Sequence, residues 1–211
     1  MKYKCIIFDC DGVLVDSEPI ANQMLIAMAA ELGVAIDMHF AINHFIGKSL
    51  YTCMETISQY GKIKLPDNFE KDFRTRSFQQ FKEQLQPIPG IKDVLKRLEL
   101  PFCVASSGPV NKIELNLKTT GLYSFFEGKI FSCYMVNTWK PEPDVFLLAA
   151  KTMGFAPKDC LVVEDSLAGI TAAQNGGFDV VAYKSEFNIK ELQNLEIPKI
   201  SNMKELFKFI S

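Results

Sequence analysis

Two aspartates, Asp9 and Asp11, follow an uninterrupted apolar run, Cys5–Phe8. Such a run is typical of a strand buried on both faces of a parallel sheet, and these sheets bind ligands beyond the carboxyl ends of their strands. Two carboxylates so close together repel each other unless a proton or a cation relieves them, and hard divalent cations prefer oxygen ligands. The spacing therefore favours a metal site, with Mg²⁺ as the natural ion.

Other interpretations of these residues are open at this point. Asp11-Gly12 is a strong turn signal and can be a simple loop. A calcium-binding loop is less favoured, because its pattern requires a third acidic or amide residue in addition to two aspartates.

Composition and charge exclude several classes of protein. The 211 residues are 48% hydrophobic, enough for a substantial core in one domain, or in one domain with an insert. The 23 basic and 25 acidic residues are spread along the chain, so no basic stripe indicates nucleic acid and no polybasic segment indicates a membrane. No apolar segment approaches the length of a signal core or a spanning helix, which predicts a cytoplasmic protein. The six cysteines lack metal-binding spacing and are predicted to be free thiols.

Apolar runs of strand length alternate with stretches of helical periodicity, which predicts an α/β fold with a parallel sheet. The runs are Cys5–Phe8, Phe102–Ala105, Ile130–Phe131, Cys160–Val163 and Val180–Ala182. Between the first two, residues 17–86 show no convincing strand and predict a helical insertion. Its helices are expected at Glu18–Leu32, Leu50–Tyr60 and Asp67–Leu85. On the last of these, Arg74 falls within the apolar face, where it either reaches an anion or extends its charged end to water.

Three further groups of polar residues stand next to predicted strands or helices. Ser106-Ser107-Gly108-Pro109 precedes the helix-like stretch Val110–Thr119, so hydroxyls and backbone N–H groups can bind phosphate there, or one serine simply caps the helix. Lys140 precedes a proline-rich helix start and is either a site residue or a solvated lysine. Glu164 and Asp165 follow the fourth apolar run, which repeats the arrangement of a buried strand that ends in acids.

These residues resemble the fingerprint of the haloacid dehalogenase (HAD) superfamily. That fingerprint is an Asp-x-Asp after the first strand, a Ser or Thr after the second, a Lys before a later helix and an acidic pair after the fourth strand. The corresponding residues, in chain order, are Asp9, Asp11, Ser106, Lys140, Glu164 and Asp165. The resemblance covers the full length. It implies a HAD-like Rossmannoid core with a parallel sheet flanked by helices in residues 1–15 and 87–211, and an inserted all-helical cap domain in residues 16–86.

Longer stretches resemble the subgroup of β-phosphoglucomutases and sugar-phosphate phosphatases. These are Asp-Gly-Val-Leu-Val-Asp-Ser-Glu at residues 11–18, the helical insert, and Lys-Pro-x-Pro-Asp at residues 140–144. Within the subgroup, the stretches most similar to the bacterial 6-phosphogluconate phosphatase branch are Val104–Pro109, Trp139–Pro141 and Gly47–Tyr51. Trp139 departs from the wider family, in which glycine is common at that place.

The resemblance implies a Mg²⁺-dependent phosphomonoester hydrolase whose partner is a small phosphorylated metabolite, a sugar phosphate or sugar acid phosphate. Asp9 would be the nucleophile that becomes an aspartyl phosphate, and Asp11 the general acid and base. The phosphate-binding groups would be Ser106, Ser107, Lys140 and backbone N–H groups near Cys10 and Gly12. The Mg²⁺ ligands would be Asp9, the Asp11 carbonyl and Asp165, with Glu164 bound either directly or through water. Candidates for cap or hinge contacts are Ser17, Glu18, Lys48, Arg74 and Arg76. The residues do not define an oligomeric state, although such cores often act as monomers.

Three rival functions share this core. A phosphomutase of the subgroup would carry an arginine just after the Gly-x-Ser of the cap and a histidine in the first cap helix. This chain has Leu50 and Ala21 at those positions, which argues against a mutase. A non-catalytic phosphate- or protein-binding module has the same fold, but the intact set of acids argues against it. Dehalogenation is disfavoured because Asp11 and the metal-binding acids suit phosphoryl transfer.

Overall fold

The computed structural model describes residues 2–46 and 48–210, so Gly47 of the Gly47–Tyr51 motif lies outside the described residues. The chain divides into two compact units. The core unit comprises Met1–Asp16 and Gln86–Ser211, and the helical unit comprises Ser17–Leu85. Among the described residues, no helix has both the length and the apolar character required to cross a membrane.

The helical unit consists of helices whose apolar faces enclose one cluster. Their bounds are α1 (Glu18–Glu31), α2 (Met38–His44), α3 (Leu50–Gly61) and α4 (Phe69–Gln84). Side chains cap the amino ends of α2 and α3. Asp37 accepts a hydrogen bond from Phe40 N at 2.7 Å, and Ser49 Oγ accepts one from Thr52 N at 3.1 Å. The cluster includes Leu25, Met28, Ala29, Ile57 and Phe69. Sequence periodicity missed α2, because its seven residues are too few to establish a helical repeat.

The core unit is built on a six-stranded parallel sheet with the order β3-β2-β1-β4-β5-β6. The strands are β1 (Cys5–Phe8), β2 (Phe102–Ser106), β3 (Ile130–Ser132), β4 (Cys160–Glu164), β5 (Asp179–Tyr183) and β6 (Lys199–Ile200). Every residue of β1, β2 and β4 is buried, as expected for central strands covered on both faces. The predicted parallel α/β class is therefore confirmed. The sequence did not predict β6, because two residues carry no recognisable pattern.

Helices connect the strands of the core unit. Their bounds are α5 (Ile91–Arg97), α6 (Val110–Thr119), α7 (Tyr123–Phe126), α8 (Cys133–Val136), α9 (Asp144–Met153), α10 (Leu167–Asn175), α11 (Ile189–Leu192) and α12 (Phe207–Ile210). Short 3₁₀ turns lie at Pro157–Asp159 and Met203–Leu206. Helix α9 packs on β1, β2 and β3, and α10 packs on β4 and β5. Ser166 is the N-cap residue of α10, and its Oγ accepts a hydrogen bond from Gly169 N at 3.1 Å.

All six cysteines are buried free thiols, as predicted. Five lie in the core unit and Cys53 lies in the helical unit. A hydrogen bond with Cys103 raises the pKa of the Cys5 thiol to about 12, and burial, with the charge of Glu18, raises that of Cys53 to about 12. These thiols act as small apolar residues of the two cores.

Candidate active site

Apart from Lys140, which precedes α9, the polar residues singled out in the core unit lie at the carboxyl ends of three adjacent strands. β1 runs between β2 and β4, with Phe8 opposite Val104 on one side and Val163 on the other. The β1–β4 ladder continues one residue further, because Asp9 N donates to Val163 O at 2.9 Å. Parallel strands in register end at the same side of the sheet, so the segments after β1, β2 and β4 meet there. We refer to this region as the carboxyl edge.

Lys140 is the centre of the carboxyl edge. Its Nζ donates to Asp9 Oδ1 at 2.5 Å and to Glu164 Oε1 at 2.7 Å, and it lies 3.2 Å from Ala105 O. The Lys140 side chain is only 3% exposed. A lysine that joins two buried carboxylates is not the solvated lysine of the simpler interpretation, so that alternative is wrong.

At the carboxyl edge, the negative charges of the carboxylates outnumber the positive charge of Lys140. Burial raises the pKa of the Asp9 carboxyl to about 7, although the charge of Lys140 opposes the shift and those of Glu164 and Asp11 add to it. Burial by itself lowers the pKa of Lys140, but the two carboxylates outweigh it and hold that pKa above its usual range. Lys140 is therefore a cation shared by two acids, and additional positive charge would favour the ionised form of Asp9.

Glu164 is held by several donors besides Lys140. Its Oε2 accepts hydrogen bonds from Asp165 N and Ser166 N, both at 2.8 Å, and from Ser166 Oγ at 3.0 Å. A Cβ at Gly169 would overlap the same carboxylate, so the first turn of α10 approaches Glu164 through a residue without a side chain. Glu164 thus fixes both Lys140 and the loop that carries Asp165.

Oxygen atoms of Asp9, Glu164 and Asp165 lie within 4.8 Å of one another. An acidic, all-oxygen set of this kind suits a hard divalent cation. Gly12 leaves space beside it: its φ is +77°, and a Cβ there would overlap the Asp165 carboxylate. Asn188 fixes the backbone at this point, because its Nδ2 donates to Asp165 O at 2.8 Å. The residues present therefore fit a bound divalent cation.

Asp11-Gly12 is also a turn, as the simpler interpretation held. Gly12 N donates to Val15 O at 2.8 Å, and Leu14 N donates to Cys10 O at 2.9 Å. The left-handed φ of Gly12 closes this turn. The turn and the acidic site are therefore one feature, in which the turn places the Asp11 carboxylate beyond the end of β1.

The loop between β2 and α6 contains Ser106, Ser107 and Gly108. Ser106 is buried, and its Oγ accepts a hydrogen bond from Gly108 N at 3.1 Å. Ser132 Oγ donates to Gly108 O at 2.6 Å and so fixes the loop from β3. The alternative that one of these serines caps α6 is wrong, because the N-cap residue is Pro109. Ser106 accepts in its contact with Gly108 and keeps its O–H as a donor.

Two residues that sequence reasoning missed hold Asp11. Lys112 Nζ lies 2.7 Å from Asp11 Oδ2, and Asn116 Nδ2 lies 3.2 Å from Asp11 Oδ1. Both belong to α6 and are more than 100 positions from Asp11 along the chain. One signal was present in the sequence: Asn116 falls on the buried face of α6, with Ile113 and Leu117, where a polar residue is unusual.

The remaining predicted site residues, Ser17, Glu18, Lys48, Arg74 and Arg76, belong to the helical unit. Ser17 is buried just before α1, Glu18 is the first residue of α1, and Lys48 is exposed. Arg74 donates to Glu70 Oε1 from Nε at 2.9 Å and from Nη2 at 2.7 Å, and Arg76 Nη1 lies 2.5 Å from Glu31 Oε1. The Arg74 side chain is 35% exposed, so its charged end extends to a surface carboxylate within this unit.

Buried carboxylates joined by one lysine at the carboxyl edge of a parallel sheet are typical of the active site of an α/β enzyme. The family model described as haloacid dehalogenase-like hydrolase matches residues 3–177, most of the chain. The chain therefore belongs to the haloacid dehalogenase-like hydrolase family, as its sequence motifs predicted.

Three known proteins resemble the chain over most of its length. The 6-phosphogluconate phosphatase of Escherichia coli K12 is 29% identical over 206 residues, which cover 97% of this chain and 93% of that protein. The fructose-1-phosphate phosphatase of the same strain is 29% identical over 187 residues, which cover 85% and 96%. A crystal structure of a conserved haloacid dehalogenase-like protein of unknown function from Agrobacterium tumefaciens C58 has a TM-score of 0.90 at 29% identity, with 99% of this chain and 97% of that chain covered. The predicted phosphatase class is confirmed.

Proposed function

We propose that the chain hydrolyses phosphomonoesters of small sugars or sugar acids, with Mg²⁺ as cofactor and Asp9 as nucleophile. The observation that carries the proposal is the buried Lys140 Nζ in contact with both Asp9 and Glu164. A fixed cation beside a carboxylate orients that carboxylate and can also meet the oxygens of an incoming phosphate. The names of the two Escherichia coli relatives support the substrate class.

Asp9 performs the covalent chemistry in this proposal. A carboxylate oxygen of Asp9 attacks phosphorus, and the bond between phosphorus and the ester oxygen breaks, which gives an aspartyl phosphate and an alkoxide. Water then attacks the same phosphorus, releases phosphate and restores the carboxylate. Splitting one difficult displacement into two lowers each barrier. Attack requires ionised Asp9, which the charge of Lys140 favours against burial.

Asp11 performs the proton transfers. It gives a proton to the leaving alkoxide in the first step and removes one from the attacking water in the second. Its carboxylate is held beyond the end of β1 by Lys112 and Asn116. The same group can serve both steps, because the first leaves it in the basic form that the second requires.

Groups around the carboxyl edge neutralise the charge on the transferring phosphoryl oxygens. We assign this role to Lys140, Ser106, Ser107 and backbone N–H groups near Cys10 and Gly12. Since Gly12 N donates to Val15 O, the main contributions of Gly12 are the turn and the space for Asp165. Asp9, the Asp11 carbonyl, Glu164 and Asp165 would hold Mg²⁺. When bound, the ion supplies positive charge to the phosphoryl group.

We assign selection of the leaving group to the helical insert, residues 16–86, acting as a cap. Its candidate contacts are Ser17, Glu18, Lys48, Arg74 and Arg76. Basic side chains among them suit the carboxylate of a sugar acid, because charge-assisted hydrogen bonds are the strongest available to such a group. This assignment rests on the resemblance in the sequence motifs.

Phosphate release from a panel of phosphomonoesters tests the proposal. The panel contains 6-phosphogluconate, fructose 1-phosphate, glucose 6-phosphate and β-glucose 1-phosphate, each with Mg²⁺ and with EDTA. We expect Mg²⁺-dependent release that is lost in Asp9→Asn, because an amide cannot act as the nucleophile. Asp159→Asn is the matched control, since it makes the same substitution at an acid that precedes β4 and pairs with Lys4. Full activity of Asp9→Asn would contradict the assigned nucleophile, and isomerisation of β-glucose 1-phosphate without phosphate release would replace the hydrolase with a mutase.

A further inference from the structure

We propose that Lys112 and Asn116 are positioning residues that hold the Asp11 carboxylate for proton transfer to the leaving group. The inference rests on the proposed function, since it takes Asp11 as the general acid. Both residues lie on α6, four positions apart and therefore on one face of the helix. They are distinct from the motif residues that end the strands.

Both oxygens of the Asp11 carboxylate are held. Lys112 Nζ lies 2.7 Å from Oδ2, and Asn116 Nδ2 lies 3.2 Å from Oδ1. One donor would leave a carboxylate free to rotate about its last bond, whereas donors on both oxygens fix its plane. The Lys112 and Asp11 side chains are 21% and 24% exposed, so solvent reaches the pair only in part. A general acid needs this kind of orientation, because proton transfer depends on reach and direction.

Asn116 is unfavourable as a purely structural residue. It is fully buried, and its Oδ1 accepts no hydrogen bond from any residue that the structure describes. A buried amide with an unpaired acceptor destabilises a fold, whereas an apolar side chain of the same shape would not. The donor side of the same amide points to Asp11. The contact with Asp11, and not packing, therefore accounts for an asparagine at this position.

Gly108 brings the lysine close to the predicted phosphate loop. A Cβ at Gly108 would lie 3.5 Å from Lys112 Cδ, 3.5 Å from Ser106 Oγ and 3.9 Å from Asp11 Oδ2. The lysine stem, the phosphate-loop serine and the proposed general acid thus surround one residue that has no side chain. This places the held carboxylate next to the predicted phosphate position, where a leaving oxygen would receive its proton.

The role predicts a dependence on the leaving group. A sugar alkoxide is strongly basic and needs a proton as it departs, whereas p-nitrophenolate is stable without one. Loss of alignment at Asp11 should therefore slow transfer from sugar phosphates and spare transfer from p-nitrophenyl phosphate. kcat/KM is the appropriate quantity, because it covers the steps up to formation of the aspartyl phosphate and excludes its later hydrolysis.

The test compares Lys112→Met and Asn116→Leu with the wild type, using 6-phosphogluconate, fructose 1-phosphate and p-nitrophenyl phosphate. We expect kcat/KM for the sugar phosphates to fall about 10- to 100-fold in each variant, and kcat/KM for p-nitrophenyl phosphate to change by less than about threefold. Lys112→Arg keeps a cation and should restore most of the sugar phosphate activity. Asn116→Leu should not lower the urea midpoint of unfolding, because it removes the unpaired acceptor.

Lys118→Met is the matched control, since Lys118 lies on the same helix and pairs with Glu114 on the surface. It should leave the ratio between the substrates unchanged. Equal losses on all substrates, or none, in both test variants would overturn the inference while the proposed function stands. If the wild type releases phosphate from none of the three substrates, the proposed function itself fails.

Discussion

The two ends of the parallel sheet carry the same kinds of charged pair in opposite surroundings. At the amino end, Lys4 lies 3.3 Å from Asp159, and the lysine side chain is 63% exposed. At the carboxyl edge, Lys140 lies 2.5 Å from Asp9 and is 3% exposed. An exposed pair contributes little to the free energy of unfolding, because water stabilises the two separate charges about as well as the pairing does. A buried pair is sensitive to the loss of either partner. Both ends of the sheet carry a Lys–Asp pair, so the difference between the candidate active site and the surface pair is burial and not the presence of paired charges.

Removing the lysine at each end gives the largest contrast. Lys140→Met leaves Asp9 and Glu164 buried without their cation, so we expect the free energy of unfolding at pH 8 to fall by about 3–5 kcal/mol. Phosphatase kcat should fall roughly 100- to 1,000-fold, because a fixed donor to the phosphoryl oxygens is lost. Urea unfolding and steady-state kinetics measure both quantities.

Lys4→Met is the matched variant at the amino end. We expect it to lower the free energy of unfolding by less than about 1 kcal/mol and to leave kcat unchanged. Equal destabilisation by the two substitutions would show that burial does not distinguish the two ends of the sheet.

Asp165→Asn tests the metal at the carboxyl edge. We expect the Mg²⁺ concentration for half-maximal activity to rise at least roughly 10-fold, because an amide oxygen is a weaker ligand than a carboxylate. The increase in melting temperature on adding Mg²⁺, which does not depend on activity, should shrink in parallel. Asp159→Asn should leave both titrations as in the wild type. An unchanged Mg²⁺ titration in Asp165→Asn would remove Asp165 from the proposed ligands.

The last contrast between the two ends is the sign of the pH dependence of stability. Burial raises the pKa of Asp9 to about 7, so between pH 3.8 and 7 the folded state binds more protons than the unfolded state. Asp9 therefore makes the metal-free protein less stable as pH rises through this range, by at most about 1.4 kcal/mol per pH unit. A hydrogen bond from Lys2 lowers the pKa of Asp179, so its stabilisation is present above pH 3.8 and is lost as pH falls through the folded pKa.

Urea unfolding in EDTA between pH 3.5 and 7.5 separates these two signs. Relative to the wild type, Asp9→Asn should gain stability as pH rises towards 7. Asp179→Asn should be less stable than the wild type at neutral pH, and this difference should shrink as the pH falls below about 4. Parallel pH profiles for the two variants would contradict the opposite shifts.

The strands were predictable because a strand that is buried on both faces appears in the sequence as an uninterrupted run of apolar residues. Cys5–Phe8 matches β1 residue for residue, whereas β2 and β4 each continue into one polar residue, Ser106 and Glu164. The ladder extends through these residues because backbone hydrogen bonds are independent of side-chain polarity. The apolar runs therefore locate five of the strands, but they end β2, β3, β4 and β5 one residue early and begin β5 one residue late.

The contacts around Asp11 were not predictable in the same way. The pattern of strands and helices predicts that Asp9, Lys140 and Glu164 lie next to the ends of these elements. It does not predict which face of α6 approaches Asp11. The pairing of Lys112 with Asp11 depends on how α6 lies across the end of the sheet, which the three-dimensional packing decides. The local sequence signal for these contacts is Asn116, a polar residue on the otherwise apolar face of α6.

The buried cysteines make the opening of the fold measurable. A thiol reagent attacks the thiolate and must reach it, so a buried thiol reacts only when its surroundings open. Cys53 belongs to the helical unit, whereas Cys5, Cys10, Cys103, Cys133 and Cys160 belong to the core unit. Labelling followed by peptide mass analysis therefore reports the two units separately. Faster labelling of Cys53 than of the core thiols would show that the helical unit opens while the sheet stays closed.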